Sequence, residues 1–219
     1  MTANREDRRA LFLLLSQVSF LVLTPFLEGD RIGELILVLS LFVILVAASA
    51  ELAANHILVR ATIPLAVLSM VVSLVFYIHP GKIAAFIFFI SLVLFLGCVA
   101  VGLYTYLGRS GAITPGRIYS SISLYFILGL IWFGLYNLIN MVYPGSFQES
   151  GVPVGLKALH GTFLYFSMET LTTLGYGDII PVHPVARMCA TFESAAGILY
   201  IAITVARLVS SYQSANKQP

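Results

Sequence analysis

Apolar residues in this chain come in long, nearly unbroken blocks, and the short segments between the blocks hold most of the charge. A helix needs about 20 apolar residues to cross roughly 30 Å of hydrocarbon. Blocks of about that length at 10–27, 32–50, 61–79, 83–107, 118–142 and 186–211 predict six spanning helices. A shorter apolar stretch, 158–172, reads ALHGTFLYFSMETLT and runs into glycines instead of a charged turn. It is too short to span. It predicts a re-entrant half-helix, tolerated only where protein or a water-filled cavity satisfies its backbone. The expected fold is an all-α membrane protein: six transmembrane helices, a re-entrant half-helix and the extended segment that follows it.

Composition narrows the function. Hydrophobic residues make up 59% of the 219, charged residues 10%, and the mean hydropathy is +0.95, more apolar than a soluble domain of this size can hide. A net charge of +2 with no basic block argues against a nucleic-acid partner. Cys98 and Cys189 sit inside apolar runs and read as small buried hydrophobes, with no disulfide framework or metal spacing. His56, His79, His160 and His183 stand singly and read as interfacial polar residues. No cofactor is expected.

Lys and Arg collect on the cytoplasmic side of short loops. With the N-terminus inside, Arg5, Arg8, Arg9, Arg60, Arg109, Arg117, Arg207 and Lys217 are internal, against Arg31, Lys82, Lys157 and Arg187 outside. Both termini are then cytoplasmic, and the acidic turn Glu28, Asp30, Glu34 lies outside with the re-entrant segment. The first span follows Arg8-Arg9 and resembles a signal peptide in that respect, but no small-x-small cleavage site follows it; it reads as an uncleaved anchor.

The chemistry is concentrated in Thr172-Thr173-Leu174-Gly175-Tyr176-Gly177-Asp178, between the last two spans. A pore that conducts potassium must replace the ion's hydration oxygens, and rings of backbone carbonyls do so. Aiming successive carbonyls at one axis requires alternation between right- and left-handed backbone, which glycine enters without a Cβ penalty. Gly175 and Gly177 occupy such alternating positions. Thr173 adds a hydroxyl below the first carbonyl, and Tyr176 supplies an aromatic wedge to hold the loop's diameter.

Thr173-Leu174-Gly175-Tyr176-Gly177 resembles the filter signature of the tetrameric potassium channel family, with Leu174 where valine or isoleucine is more usual. The resemblance covers about 118–211, and the first four spans match only in number. It implies a homotetramer in the lipid bilayer, with potassium coordinated at Thr173, Leu174, Gly175 and Tyr176 and the filter closed by Gly177. It divides the chain into a cytoplasmic N-terminus (1–9), a peripheral four-helix unit (10–107), a linker (108–117), a pore unit (118–211) and a short tail (212–219).

Neighbouring residues agree. Glu169 precedes Thr173 by four residues and Asp178 follows Gly177, so both carboxyls can lie behind the filter; in bacterial members of the family a pore-helix Glu similarly shares a proton or water with the post-filter Asp. Two carboxyls so placed do not both ionise readily. Tyr165, one turn before Glu169, either donates to Asp178 or simply packs. Ser167, Thr170 and Thr172 add hydroxyls for backbone ends. Glu193, inside the sixth span, is an intramembrane carboxyl expected to brace the half-helix by a hydrogen bond, with lining of the water path as the alternative. Gly197, four residues on, is either a gating hinge or a site of close helix packing. His160 and His183 flank the outer mouth and are candidates for sensitivity to external pH.

The fourth block, IAAFIFFISLVLFLGCVAVGLYTYL, contains no Arg or Lys, so no steep voltage dependence is expected from it. Only a short polar stretch follows the sixth span, and no ligand-sensing domain is expected there. The segment Gly175-Tyr176-Gly177-Asp178 also fits the GxGD pattern of intramembrane aspartyl proteases, but such an enzyme needs a second aspartate on a facing span, and the others are Asp7 and Asp30. The expected function is potassium-selective conduction, with a non-conducting or modulatory channel subunit as the alternative and no enzyme activity; the expected location is a prokaryotic inner membrane.

Overall fold

The computed structural model describes residues 2–52, 56–79, 81–108, 114–155 and 161–215. Its elements are α1 (Thr2–Leu27), α2 (Arg31–Glu51), α3 (His56–Ile78), α4 (Lys82–Leu107), α5 (Pro115–Val142), β1 (Phe147–Glu149), β2 (Val152–Pro153), α6 (Gly161–Leu171), β3 (Ile179–Pro181) and α7 (Pro184–Ala215). All six expected spans are present as α1 to α5 and α7, each long and apolar enough to cross a membrane. The half-helix is α6. Its 11 residues reach only about 16 Å at 1.5 Å per residue, half of a hydrocarbon core.

Local sequence explains where these helices begin. At the start of α5 the Thr114 hydroxyl oxygen accepts from Arg117 N–H at 3.3 Å, and Pro115 takes the first helical position, where its missing N–H costs nothing. Pro184 opens α7 in the same way, and the Nδ1 of His183 accepts from Val185 N–H at 3.3 Å.

Within the chain α1 packs on α2, α2 on α3 and α3 on α4, while α1 and α4 both lie against α5. On its other side α5 carries α6, which also meets α7. Aromatic rings fill two of these seams. Phe89 of α4 meets Phe133 of α5 edge-on at 5.6 Å, and Tyr136, Phe147, Phe163 and Phe166 pack between α5, β1 and α6. Edge-to-face pairs of this kind add attraction beyond the area they bury.

One element went unforeseen: a three-stranded antiparallel sheet, in the order β2-β1-β3, beside the TLGYGD segment. Ser150 and Gly151 form its two-residue turn with φ of 50° and 83°, the left-handed pair that matches the twist of a hairpin. β3 begins directly after Asp178, and its pairing with β1 puts Glu149 opposite Ile179. The chain leaving the TLGYGD segment is therefore tied down at once.

Coverage is uneven. In an apolar 18-residue stretch of the fifth span half of the residues are buried within the chain, but only 11% in the matching stretch of the sixth. Met188, Phe192, Ile198, Leu199, Ile201 and Ile203 of α7 are all exposed.

Candidate filter and its supports

The segment after α6 is held by the helix it leaves. Thr172, Thr173 and Leu174 N–H groups donate to the carbonyls of Met168, Thr170 and Glu169 at 3.1, 3.0 and 2.8 Å, and the Thr172 hydroxyl donates back to the Met168 carbonyl at 2.8 Å. These bonds close the C-terminal end of α6, where carbonyls would otherwise lack partners.

Beyond them the backbone alternates. Thr173, Gly175 and Gly177 have φ of 61°, 54° and 78°. The glycines were expected to be left-handed; Thr173 was not, and a β-branched residue there is a true outlier that persists only when its surroundings impose it. Residues 172–178 are all exposed, Leu174 at 56% and Tyr176 at 70%. The expectation that Tyr176 wedges against helices is thus not met by its own chain. Among the described residues the ring is left largely uncovered.

Behind the segment, Glu169 is buried and its Oε2 accepts from Tyr176 N–H at 3.3 Å, one carboxylate bracing the loop that its own helix launches. Asp178 lies close enough to interact with it, and the hydroxyl of Tyr165 faces both carboxyls. Burial pushes the Glu169 carboxyl above its ordinary range. The Tyr176 N–H pulls the other way, the Asp178 charge adds to the rise, and the Tyr165 hydroxyl opposes it. Of the two readings of Tyr165, the hydrogen-bonding one fits this placement. Asp178 Oδ1 accepts from Ile179 N–H at 3.1 Å, and its carbonyl accepts from Ser150 N–H at 3.0 Å, so the exit of the segment is anchored in the three-stranded sheet.

Glu193 of α7 meets a different face of α6. It has no solvent exposure; it accepts from the Ser167 hydroxyl at 2.6 Å and from the hydroxyl of Tyr136, which links α7, α6 and α5 in one buried network. The bracing role is the one the geometry supports, since a fully buried carboxyl does not line a water path. Gly197 is buried against the end of α6, and a Cβ there would collide with the Leu171 carbonyl. Close packing accounts for this glycine, and α7 runs through it without a break.

Two other supports carried no sequence signal: Tyr125 of α5 donates to the Leu171 carbonyl at 3.2 Å, and Ser194 of α7 donates to the Thr170 carbonyl at 3.0 Å. The Ser167 hydroxyl, expected to serve backbone groups, also reaches the Gly129 carbonyl at 2.7 Å. His183 stacks on Tyr143 with 4.3 Å between centroids. His160 lies outside the described residues.

Residues 148–214, which run from β1 through α6 and the TLGYGD segment into α7, match the family described as ion channel. Over those residues the chain is similar to an ion channel domain. It is 29% identical over 82 residues, 36% of its length, to the inward rectifier potassium channel Kirbac3.1 of Paramagnetospirillum magnetotacticum. It is 27% identical over 89 residues, 41% of its length, to the potassium voltage-gated channel protein shk-1 of Caenorhabditis elegans. These matches span 28% and 17% of the two relatives. No solved structure matches the chain. The ion channel match over residues 148–214, which include the GxGD-like segment, points to transport and not to a protease.

Proposed function

We propose that this chain forms a potassium-selective pore as a homotetramer, with the carbonyls of Thr173, Leu174, Gly175 and Tyr176 as the ion's ligands and Gly177 completing the filter. One observation carries the reading. In a chain built for the bilayer, seven consecutive residues of irregular backbone, 172–178, are exposed, with left-handed φ at every second position from Thr173 to Gly177. Irregular backbone at membrane depth is tolerated only where protein covers it or water bathes it. Further copies of the chain around one axis supply both: water and ions on the carbonyl side, and protein on the Tyr176 side and along bare α7.

The C-terminal end of α6 carries a partial negative charge from its aligned peptides, and several such ends around an axis favour a cation. Glu169, Tyr165, Thr172 and Asp178 hold the loop from behind, and Glu193 holds α6 itself. The potassium channels among the relatives support the choice of ion. On this reading the chain sits in a prokaryotic inner membrane with both ends cytoplasmic, and α4, which has no basic residue after Lys82, is not a voltage sensor.

The deciding experiment is flux from liposomes that contain this chain alone. Potassium-driven uptake that exceeds sodium uptake and disappears when Gly175 and Gly177 are both replaced by Ala supports the reading. Correctly assembled protein without flux would make it a non-conducting partner of other channel chains.

A further inference from the structure

α1 is bound to the pore unit by a carboxylate at each end, and each carboxylate stands where a glycine leaves room for it. Near the inner end, Asp7 Oδ1 accepts from Gly116 N–H at 2.7 Å, in the first turn of α5, and a Cβ on Gly116 would fall on that oxygen. At the other end, Glu28 follows the last residue of α1 and still donates its N–H to the Thr24 carbonyl at 3.2 Å. Its carboxylate accepts from the backbone N–H of Gly161, the first residue of α6, and a Cβ on Gly161 would fall on its two oxygens. Between the two, buried Gln17 donates to the Ser123 carbonyl of α5 at 3.3 Å. From Asp7 to Glu28 the helix rises roughly 30 Å, the thickness of the hydrocarbon core.

We infer that α1 is a clamp on the pore unit and that Glu28 is a positioning residue for the pore helix. The first N–H groups of a helix have no partners within it, and an anion there is favoured by the helix dipole as well as by the hydrogen bond. α6 is too short to be stable alone, so its orientation is set by what holds its ends. Its C-terminal end is held by Tyr125 and Ser194 from within the pore unit. Its N-terminal end is held by Glu28 from the peripheral unit. Because Glu169 of α6 supports Tyr176, a shift of α6 at Glu28 moves the support of the proposed filter, and the first helix becomes a route by which the peripheral unit acts on that filter. This last step rests on the function proposed above; the clamp itself does not.

The test is a double-mutant cycle on the full chain, assembled in lipid nanodiscs and read by hydrogen exchange of the segment 161–171. Glu28→Ala and Gly161→Ala should each speed exchange by roughly fivefold, the size of a lost helix cap. The double variant should be no faster than either single, because alanine at 161 does harm only by evicting the Glu28 carboxylate. Glu28→Gln, which keeps an acceptor oxygen, should retain most of the protection. Multiplying effects in the double variant, or unchanged exchange in Glu28→Ala, would overturn the clamp. Where the wild-type chain conducts, the singles and the double should share one altered rate of current decay. A chain that does not conduct leaves the exchange cycle decisive and counts only against the proposed pore.

Discussion

Ser167 of the pore helix donates its hydroxyl to Glu193 of α7 at 2.6 Å, in a site closed to solvent. The hydroxyl of Tyr136 meets the same carboxyl from α5, so three elements that are distant in sequence converge on one side chain. Glu193→Ala would leave both hydroxyls buried without this partner and open a cavity between helices. The expected loss is about 2–3 kcal/mol, the cost of stranding buried polar groups. Thermal unfolding of the protein in detergent or lipid measures it. Glu193→Gln keeps an acceptor and should lose less than half as much; equal losses in the two variants would show that the hydrogen bonds do not matter.

Glu169 yields a prediction about pH. Burial raises its pKa above the usual carboxylate value, with the Tyr176 N–H opposing and Asp178 adding to the rise, so folding favours the neutral form. The stabilisation it contributes as a neutral group is complete below the unfolded value near 4.5 and is lost as pH rises through the raised folded value. Current decay at the proposed filter should therefore change with external pH above about 4.5, because the group that holds the Tyr176 N–H changes charge there. Glu169→Gln should flatten that dependence, and Glu169→Ala should alter the decay more than the preference for potassium over sodium. A decay profile identical to wild type in both variants would sink the idea.

The spans were legible in the sequence because hydrocarbon thickness sets their length, and the observed ends fall within a few residues of those expected except where α1 and α7 run on into polar sequence and α3 begins five residues early, at His56. The half-helix was expected at 158–172 and found at 161–171, betrayed by its length and by the glycines after it. The three-stranded sheet was not legible: strands of two or three residues have no alternation to detect, and β3 forms only because the segment after Asp178 meets β1. Glu193 stood out as a carboxyl in an apolar run, but its partners did not. Ser167 and Tyr136 are 26 and 57 residues away, on elements whose facing sides only the packing defines. Tyr125 and Ser194 were missed for the same reason, since a hydroxyl in an apolar helix carries no sign of which carbonyl it will reach.

The fourth helix predicts a shallow voltage response. Each elementary charge moved across the membrane is worth about 2.3 kcal/mol per 100 mV, so steep gating needs several charges on one moving element. α4 offers Lys82 at its first position and no further Lys or Arg through Leu107. Its inner face is packed with Phe88, Phe89, Leu92, Phe95 and Leu96, all buried. Conductance measured against voltage should vary with an effective charge near that of a voltage-insensitive pore, and substitution of Lys82 by Gln should leave the slope unchanged. A steep curve from the chain alone would locate a sensor elsewhere.

Two glycines within spanning helices provide a matched test of close packing. A Cβ on Gly97, in α4, meets nothing within 4 Å, whereas a Cβ on Gly197, in α7, collides with the carbonyl of Leu171 at the end of the pore helix. Alanine favours helix over glycine by up to about 1 kcal/mol in a helix interior, so Gly97→Ala should be neutral or mildly stabilising. Gly197→Ala gains the same propensity but forces α7 away from α6, and overpacking of this kind costs about 1–3 kcal/mol. It also disturbs the Tyr125 bond to that carbonyl and the Ser194 bond to Thr170 beside it. The prediction is loss of thermal stability and of the proposed potassium flux in Gly197→Ala with both retained in Gly97→Ala, read by thermal unfolding and liposome uptake. If Gly197→Ala keeps its stability but changes only the opening and closing of the pore, this glycine acts as a hinge and not as a packing contact.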